Sequence, residues 1–334
     1  MTVTLTLAEV EDLARRALIA CNTSETNAAS VARSVVAAEH DGIHSHGLAR
    51  LPTYCEHAKC GKIDGQATPL STQTGAAALR VDACDGFAHP AIDIGMETLL
   101  PLARYAGIAA MAVTNSYNCG VVGYHMERIA TEGLLGLGFV NAPGSIAPWG
   151  GTRPVFGTNP IACGVPRKDG PPMVIDQSSS VVAKSEIMVH AQKDEPIPEG
   201  WAFDADGKPT TDAKAALAGT MAPLGGYKGA GLAMLVEIMA AGMTGAHFAF
   251  QASSFADNEG GPPRTGQFFI AINPDATAGE DFEGRFEALF SEITGQSGAR
   301  LPGGRRLEAR ARTEKEGVTF RRALHERILG YCDV

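Results

Sequence analysis

Between residues 76 and 278 short apolar runs alternate with helical stretches, and this alternation limits the chain to a layered α/β architecture more than any other feature does. Runs at 78–81, 108–113, 135–140, 161–165, 173–175 and 268–272 read as strands. The apolar spacing turns helical at 90–106, 122–131, 181–192 and 229–244, with Pro90 suited to a first turn. Residues 194–226, rich in Pro, Gly and Asp, read as a long excursion.

Both ends of the chain differ from this middle. Thr6 and Glu9 form a capping box ahead of Val10, Leu13, Ala14, Ala17 and Leu18, which places a first helix up to about Cys21. Ser24 caps a second that stops at Gly42, and Ser45 is expected to cap a third that ends at Gly61. Beyond Gly279 charged amphipathic helices return at 282–293 and 320–329, and these are expected to pack with the N-terminal ones. The expected organisation is a helical domain at 1–75 completed by 279–334, and a mixed α/β domain at 76–278.

Charge and cysteine usage narrow the function. Lys and Arg number 28 against 37 Asp and Glu, a net charge of -9 that repels nucleic-acid backbones and anionic membranes. Seven cysteines with no C-x-x-C pair fit neither a disulfide framework nor a structural zinc cluster, so a reducing cytoplasm is the expected location. The greasiest stretch, 229–250, is interrupted by Glu237 and His247 and reads as a buried helix rather than a membrane span. The 39 glycines are scattered, with no G-x-G-x-x-G fingerprint and no Walker lysine pattern.

The densest polar constellation runs from His40 to Arg50 and holds three of the nine histidines. If Ser45 caps the third helix, His46 and Arg50 share a face, and the helix terminus with a guanidinium above it suits a carboxylate. A metal site on His40, His44 and His46, and with it a metal-dependent hydrolase, is the remote alternative, because the break at Gly42 separates the three. Asn118, Cys119, Gly120, Val121 and Val122 follow a strand and precede a helix, a placement that suits a backbone-lined phosphate loop or an ordinary turn. Gly157-Thr158-Asn159-Pro160 is a turn before a strand. Asp176, Gln177 and Ser178 end another, and Lys184, Ser185 and Glu186 lie on the helix that follows, as a solvated face or as part of a site. Arg300-Leu301-Pro302-Gly303-Gly304-Arg305-Arg306 packs three arginines into an acidic chain, as a 2′-phosphate would want or as a basic surface loop.

Taken together, Ser45-His46-Gly47 with Arg50 and Tyr54, Gly157-Thr158-Asn159-Pro160, Ile197-Pro198-Glu199-Gly200-Trp201, Pro209-Thr210-Thr211-Asp212 and Gly225-Gly226-Tyr227-Lys228-Gly229 resemble the malate/L-lactate dehydrogenase family of the non-Rossmann type over nearly the whole chain. Thr265-Gly266-Gln267 and Arg300-Leu301-Pro302-Gly303 look most like its branch that reduces Δ1-piperideine-2-carboxylate and Δ1-pyrroline-2-carboxylate with NADPH, giving L-pipecolate and L-proline. The resemblance implies a homodimer with a mixed sheet and no Rossmann fingerprint. It implies His46 as proton donor, Ser45 and Glu186 as relay partners, and Arg50, Thr158 and Ser185 as substrate contacts. It also implies a cofactor site lined by residues 118–122, Asp176, Gln177, Ser178, Gly226 and residues 300–306. Glu186 stands where Asp is usual, and Asn118 where many members carry His. A 2-hydroxy-acid dehydrogenase of malate or lactate type is the nearest alternative activity.

Overall fold

The computed structural model describes residues 1–279 and 281–332; residues 280, 333 and 334 of the expected C-terminal helical segment lie outside them. A strand absent from the sequence reading, β1 (Thr2–Leu5), precedes α1 (Leu7–Ala20) and α2 (Glu25–His40). The capping box forms as expected: the Thr6 side chain accepts from Glu9 N, while Thr6 N donates to Glu9 Oε2 at 2.8 Å. Ser24 Oγ accepts from Asn27 N and caps α2.

The third helix departs from expectation. Two single 3-10 turns, His44–His46 and Leu48–Arg50, precede α3 (Leu51–Cys60), so Ser45 is not its cap and His46 and Arg50 do not share one helix face. The cause is Glu39, a buried carboxylate that accepts from Leu48 N at 2.7 Å and pairs with His44 Nδ1 at 2.5 Å. A Cβ on Gly47 would sit 2.1 Å from Glu39 Oε1, so the chain comes this close only as glycine.

The middle of the chain supplies β2 (Leu70–Gly75), β3 (Ala78–Asp82), α4 (Ala88–Ala106), β4 (Ile108–Ser116), α5 (Val122–Thr131), β5 (Leu135–Val140), β6 (Ile161–Val165), β7 (Met173–Gln177) and α6 (Lys184–Gln192). The expected excursion folds into β8 (Ala202–Phe203), β9 (Pro209–Thr210), α7 (Ala213–Ala218) and β10 (Thr220–Met221), which together hold a three-stranded antiparallel sheet. Then come α8 (Tyr227–Glu237), which continues into a π-helical turn at Ile238–Gly242, and β11 (Thr265–Ile272). After α9 (Asp275–Ala278) the tail forms α10 (Phe282–Thr294), α11 (Gly304–Glu316), β12 (Val318–Arg321) and α12 (Arg322–Cys332).

The main sheet has seven strands in the order β2-β3-β4-β11-β5-β6-β7. Only β3 and β4 are parallel, and β11 is antiparallel to both neighbours, so the sheet is mixed and the fold is α/β without a Rossmann crossover pattern. Helices α4 and α5 cover one face through Ile92, Met96, Leu99, Met126 and Ile129 against Val81, Met111, Val113 and Phe269. Val236 and Ala240 cover part of the other face against Phe139, Phe268 and Ile270.

The chain ends meet as β1 pairs antiparallel with β12, and α1, α2 and α3 share a core with Val318, Ile328 and Tyr331. Helix α10 goes elsewhere than expected. Phe282, Phe286 and Phe290 face Val165, Met173 and Ile175 at the edge of the main sheet, because that edge offers an apolar surface which three phenylalanines at helical spacing can cover. The expected helix at 320–329 begins later, since residues 318–321 are taken by the strand that pairs with β1. Among the described residues no helix is long and apolar enough to cross a membrane.

Candidate active site

His46 and Arg50 come together through the double turn rather than through one helix. Ser45 Oγ lies 3.1 Å from His46 Nδ1, the one hydrogen bond of that ring among the described residues. Burial, with the Arg50 charge adding to it, pushes the His46 imidazole down to about 4, so the ring is neutral at neutral pH. The Arg50 side chain makes no ion pair or hydrogen bond among the described residues, and its Nε is buried with no partner. An unpaired, half-buried guanidinium in a chain of net charge -9 is an open position for an anion.

Below Arg50, Tyr54 is buried and donates its hydroxyl to Asn118 Oδ1 at 2.9 Å, and Asn118 Oδ1 also accepts from Gly120 N at 2.8 Å. The half of the site carried by the N-terminal helices is thereby fastened to the loop that follows β4. Phe87 and Tyr117 pack edge-on against Tyr54, and His57 Nδ1 meets the Tyr117 hydroxyl at 2.6 Å.

From that loop the site continues to the end of β7. Gly123 N donates to Asp176 Oδ2 at 2.7 Å, and a Cβ at 123 would come within 3.0 Å of both Asp176 and Val174. Asp176 and Gln177 are open to solvent, yet the protein crowded around Asp176 pushes its carboxyl up, as it would at the floor of a cleft. Gly303, at φ +83, abuts the Val174 carbonyl, so the arginine-rich segment lies against the same strand. A cavity of about 250 Å3 there is lined by Arg300, Leu301, Pro302, Gly303, Gly304 and Arg306, together with Met173 and Arg167.

The three arginines of that segment are not equivalent. Arg300 and Arg305 are exposed, whereas Arg306 is buried and lies 3.5 Å from both Asp41 and Glu127. The same two carboxylates hold Arg310 at 2.5 and 2.6 Å, a four-member ion cluster joining α11 to the end of α2 and to α5. The segment is also not all loop, since α11 begins at Gly304.

Thr158 belongs to a second group. Its carbonyl accepts from Ser179 N at 2.7 Å, and Ser179 O accepts from Leu224 N at 2.9 Å, which ties the turn before Gly226 to the strand end that carries Ser178. Gly226 itself caps α8 at φ +69, beside Trp149. Ser185 and Glu186 sit on the first turn of α6; the Glu186 side chain is exposed and makes no hydrogen bond or ion pair among the described residues, so no contact joins it to Ser45 or His46. The two groups meet through the continuous chain from Asp176 to Ser179.

The histidines proposed as a metal set go three ways. His40 pairs with Glu314 at 3.0 Å, His44 with Glu39, and His46 with Ser45. Among the described residues no three His, Cys, Asp or Glu side chains are grouped to hold a metal ion.

One residue central to the site was read from the sequence only as an interruption. Glu237, at the end of α8, is buried and accepts from Asn159 Nδ2 at 2.7 Å, from Asn141 Nδ2 at 3.2 Å and from Ala249 N at 2.6 Å. It binds Asn159, which sits at φ +39 beside Thr158; burial pushes the Glu237 carboxyl up, and the three donors pull it back toward the ionised form. The signal was a lone acid in an apolar run.

A sequence model of the family described as malate/L-lactate dehydrogenase matches residues 5–329. The chain is 45% identical over 330 residues, covering 98% of each chain, to a (2R)-3-sulfolactate dehydrogenase (NADP(+)) of Chromohalobacter salexigens. It is 39% identical over 328 residues, covering 98% of this chain and 96% of the other, to a Delta(1)-pyrroline-2-carboxylate/Delta(1)-piperideine-2-carboxylate reductase of Pseudomonas syringae pv. tomato. The solved structure of the delta1-piperideine-2-carboxylate reductase from that organism superposes with a TM-score of 0.93 at 38% identity, covering 98% of this chain and 99% of the other.

Proposed function

Since the chain belongs to the malate/L-lactate dehydrogenase family, we propose that it reduces cyclic imino acids, Δ1-piperideine-2-carboxylate to L-pipecolate and Δ1-pyrroline-2-carboxylate to L-proline, with NADPH. The observation that carries this reading is Arg50: an unpaired guanidinium with a buried orphan Nε, set beside a neutral imidazole. A flat carboxylate fills the first, and the second, once protonated, can pass its proton to a neighbouring imine nitrogen.

When bound, NADPH would supply the hydride for reduction of the imine. The residues present fit it: Asp176 and Gln177 are open, Asn118, Gly120 and Ser178 are partly open, and the buried Cys119, Val121 and Val122 back them with a backbone that a ligand can approach closely; Gly226 would border the site, and Arg300 and Arg305 offer exposed charge for a 2′-phosphate. Arg50 holds the substrate carboxylate. Once that carboxylate neutralises Arg50, one of the two causes that hold His46 low is gone, and the ring takes up a proton more readily. His46 delivers the proton to the ring nitrogen, completing CH–NH, and Ser45 orients it at Nδ1; the relay role implied for Glu186 is not carried over, because its side chain is exposed and touches neither residue. Thr158 and Ser185 contact the substrate.

Two helical segments, residues 1–75 and 279–334, and the α/β part at 76–278 work as one catalytic unit in this reading. The exposed Leu224, Tyr227, Met234, Leu235, Ile238 and Met243 form an apolar face suited to the second copy in a cytoplasmic homodimer.

A second reading is favoured by the 45% identical relative, a sulfolactate dehydrogenase: reduction of a 2-keto acid to the 2-hydroxy acid at the same Arg50 and His46. The deciding experiment is a side-by-side NADPH assay with the two cyclic imino acids, pyruvate, oxaloacetate and 3-sulfopyruvate. Turnover of the imino acids alone supports the first reading, and turnover of the keto acids alone replaces it with the second.

A further inference from the structure

Behind the loop that follows β4 stand two histidines that the chemistry above does not use. His125, on the inner face of α5, donates Nε2–H to the Cys119 carbonyl at 2.9 Å. His89, on the first turn of α4, lies against the same loop, where a Cβ on Gly120 would come within 3.2 Å of its Nε2. The two rings lie 6.1 Å apart, both buried, with His125 stacked on Phe269 in the core between α5 and the sheet.

This arrangement is poor as packing. With the proton of His125 on Nε2, its Nδ1 is a bare lone pair, and the Nδ1 atoms of both rings are buried with no partner. A phenylalanine at 125 would fill the same space against Phe269 without an unpaired acceptor. What the imidazole adds is the N–H on the Cys119 carbonyl. That bond draws the carbonyl back toward α5 and fixes the peptide between Cys119 and Gly120, where the chain turns through φ +72.

We propose that His125, supported by His89, is a positioning residue for the cofactor, presetting the 118–122 loop in the form that receives the dinucleotide. The inference rests on the reading that this loop holds NADP(H). Burial pushes the imidazoles down to about 3 and about 4 respectively, so both stay neutral and the clamp persists at any pH where the enzyme works.

The test uses the full-length protein, with His125→Phe, His125→Gln and, as a control on the loop itself, Gly120→Ala, whose Cβ would strike Ser34 Oγ at 2.7 Å. Fluorescence titration gives NADPH affinity, steady-state kinetics give KM and kcat, and thermal melts give stability. His125→Phe is expected to keep or raise the melting temperature while weakening NADPH roughly tenfold, with kcat at saturating NADPH little changed. His125→Gln, which restores an N–H, should recover most of the affinity. Wild-type NADPH affinity in His125→Phe overturns the role, and so does an affinity that falls only together with the melting temperature. If Gly120→Ala leaves NADPH binding untouched, the reading of the loop fails; if Gly120→Ala weakens it and His125→Phe does not, only the positioning role fails.

Discussion

The Tyr54 hydroxyl donates to Asn118 Oδ1 at 2.9 Å, and this bond joins the helix that follows Arg50 to the loop assigned to the cofactor. Tyr54→Phe removes the donor but leaves Asn118 Oδ1 accepting from Gly120 N, so no buried acceptor is stranded. The expected cost is about 1 kcal/mol, read as a KM for NADPH and for substrate each raised a few fold, with kcat falling less. A Tyr54→Phe enzyme with wild-type constants would show that the two halves of the site are set independently.

Replacing His46 by Ala should lower kcat by roughly 10²- to 10⁴-fold while NADPH binding stays measurable, since general acid–base catalysis is worth about that much. Near wild-type turnover would remove His46 from the mechanism. Arg50→Lys keeps the charge but loses the planar fork, so it should raise substrate KM strongly and leave NADPH affinity alone.

Arg300 and Arg305 are exposed, whereas Arg306 is spent on Asp41 and Glu127. The double change of Arg300 and Arg305 to Ala should cut kcat/KM for NADPH by roughly 10- to 100-fold and leave NADH nearly unaffected, the value of one or two charge-assisted hydrogen bonds. Arg306→Ala should instead lower stability, because it leaves the buried Asp41 and the part-buried Glu127 sharing a single arginine, Arg310.

Glu237→Ala strands the donors of Asn141, Asn159 and Ala249. A loss of at least about 3 kcal/mol is expected, at roughly 1–3 kcal/mol per unpaired buried group, measurable by urea denaturation. Thr158 then loses its fixed neighbour, so any folded fraction should show raised substrate KM.

His125 is held far below its unfolded value of about 6.5, so the unfolded chain binds a proton there that the folded chain does not. Stability from this group is therefore complete above pH 6.5 and declines as pH falls toward about 3. Between pH 7 and pH 5 it should cost about 2 kcal/mol, and His125→Phe should remove that part of the decline. Equal pH slopes for wild type and variant would contradict the buried neutral assignment.

Much of the architecture was written in local pattern. The capping box at Thr6, the cap at Ser24, the apolar strands and the amphipathic α4 and α5 follow from spacing, because each depends on neighbours within a few residues. The family was legible too, since ordered motifs such as Ser45-His46-Gly47 and Gly157-Thr158-Asn159-Pro160 stand in the chain itself, and the same motifs nominated the candidate site residues, of which Glu186 is not brought to His46. What the sequence could not fix was any arrangement set by a distant partner. Glu39 unwinds the expected start of α3, β1 exists only because β12 lies beside it, and α10 goes to the sheet edge because an apolar edge is there to cover. The unequal arginines, the Glu237 hub and the histidines behind Cys119 have the same origin: a side chain's protonation and free donors depend on what burial and through-space partners leave it, and only the tertiary structure supplies those.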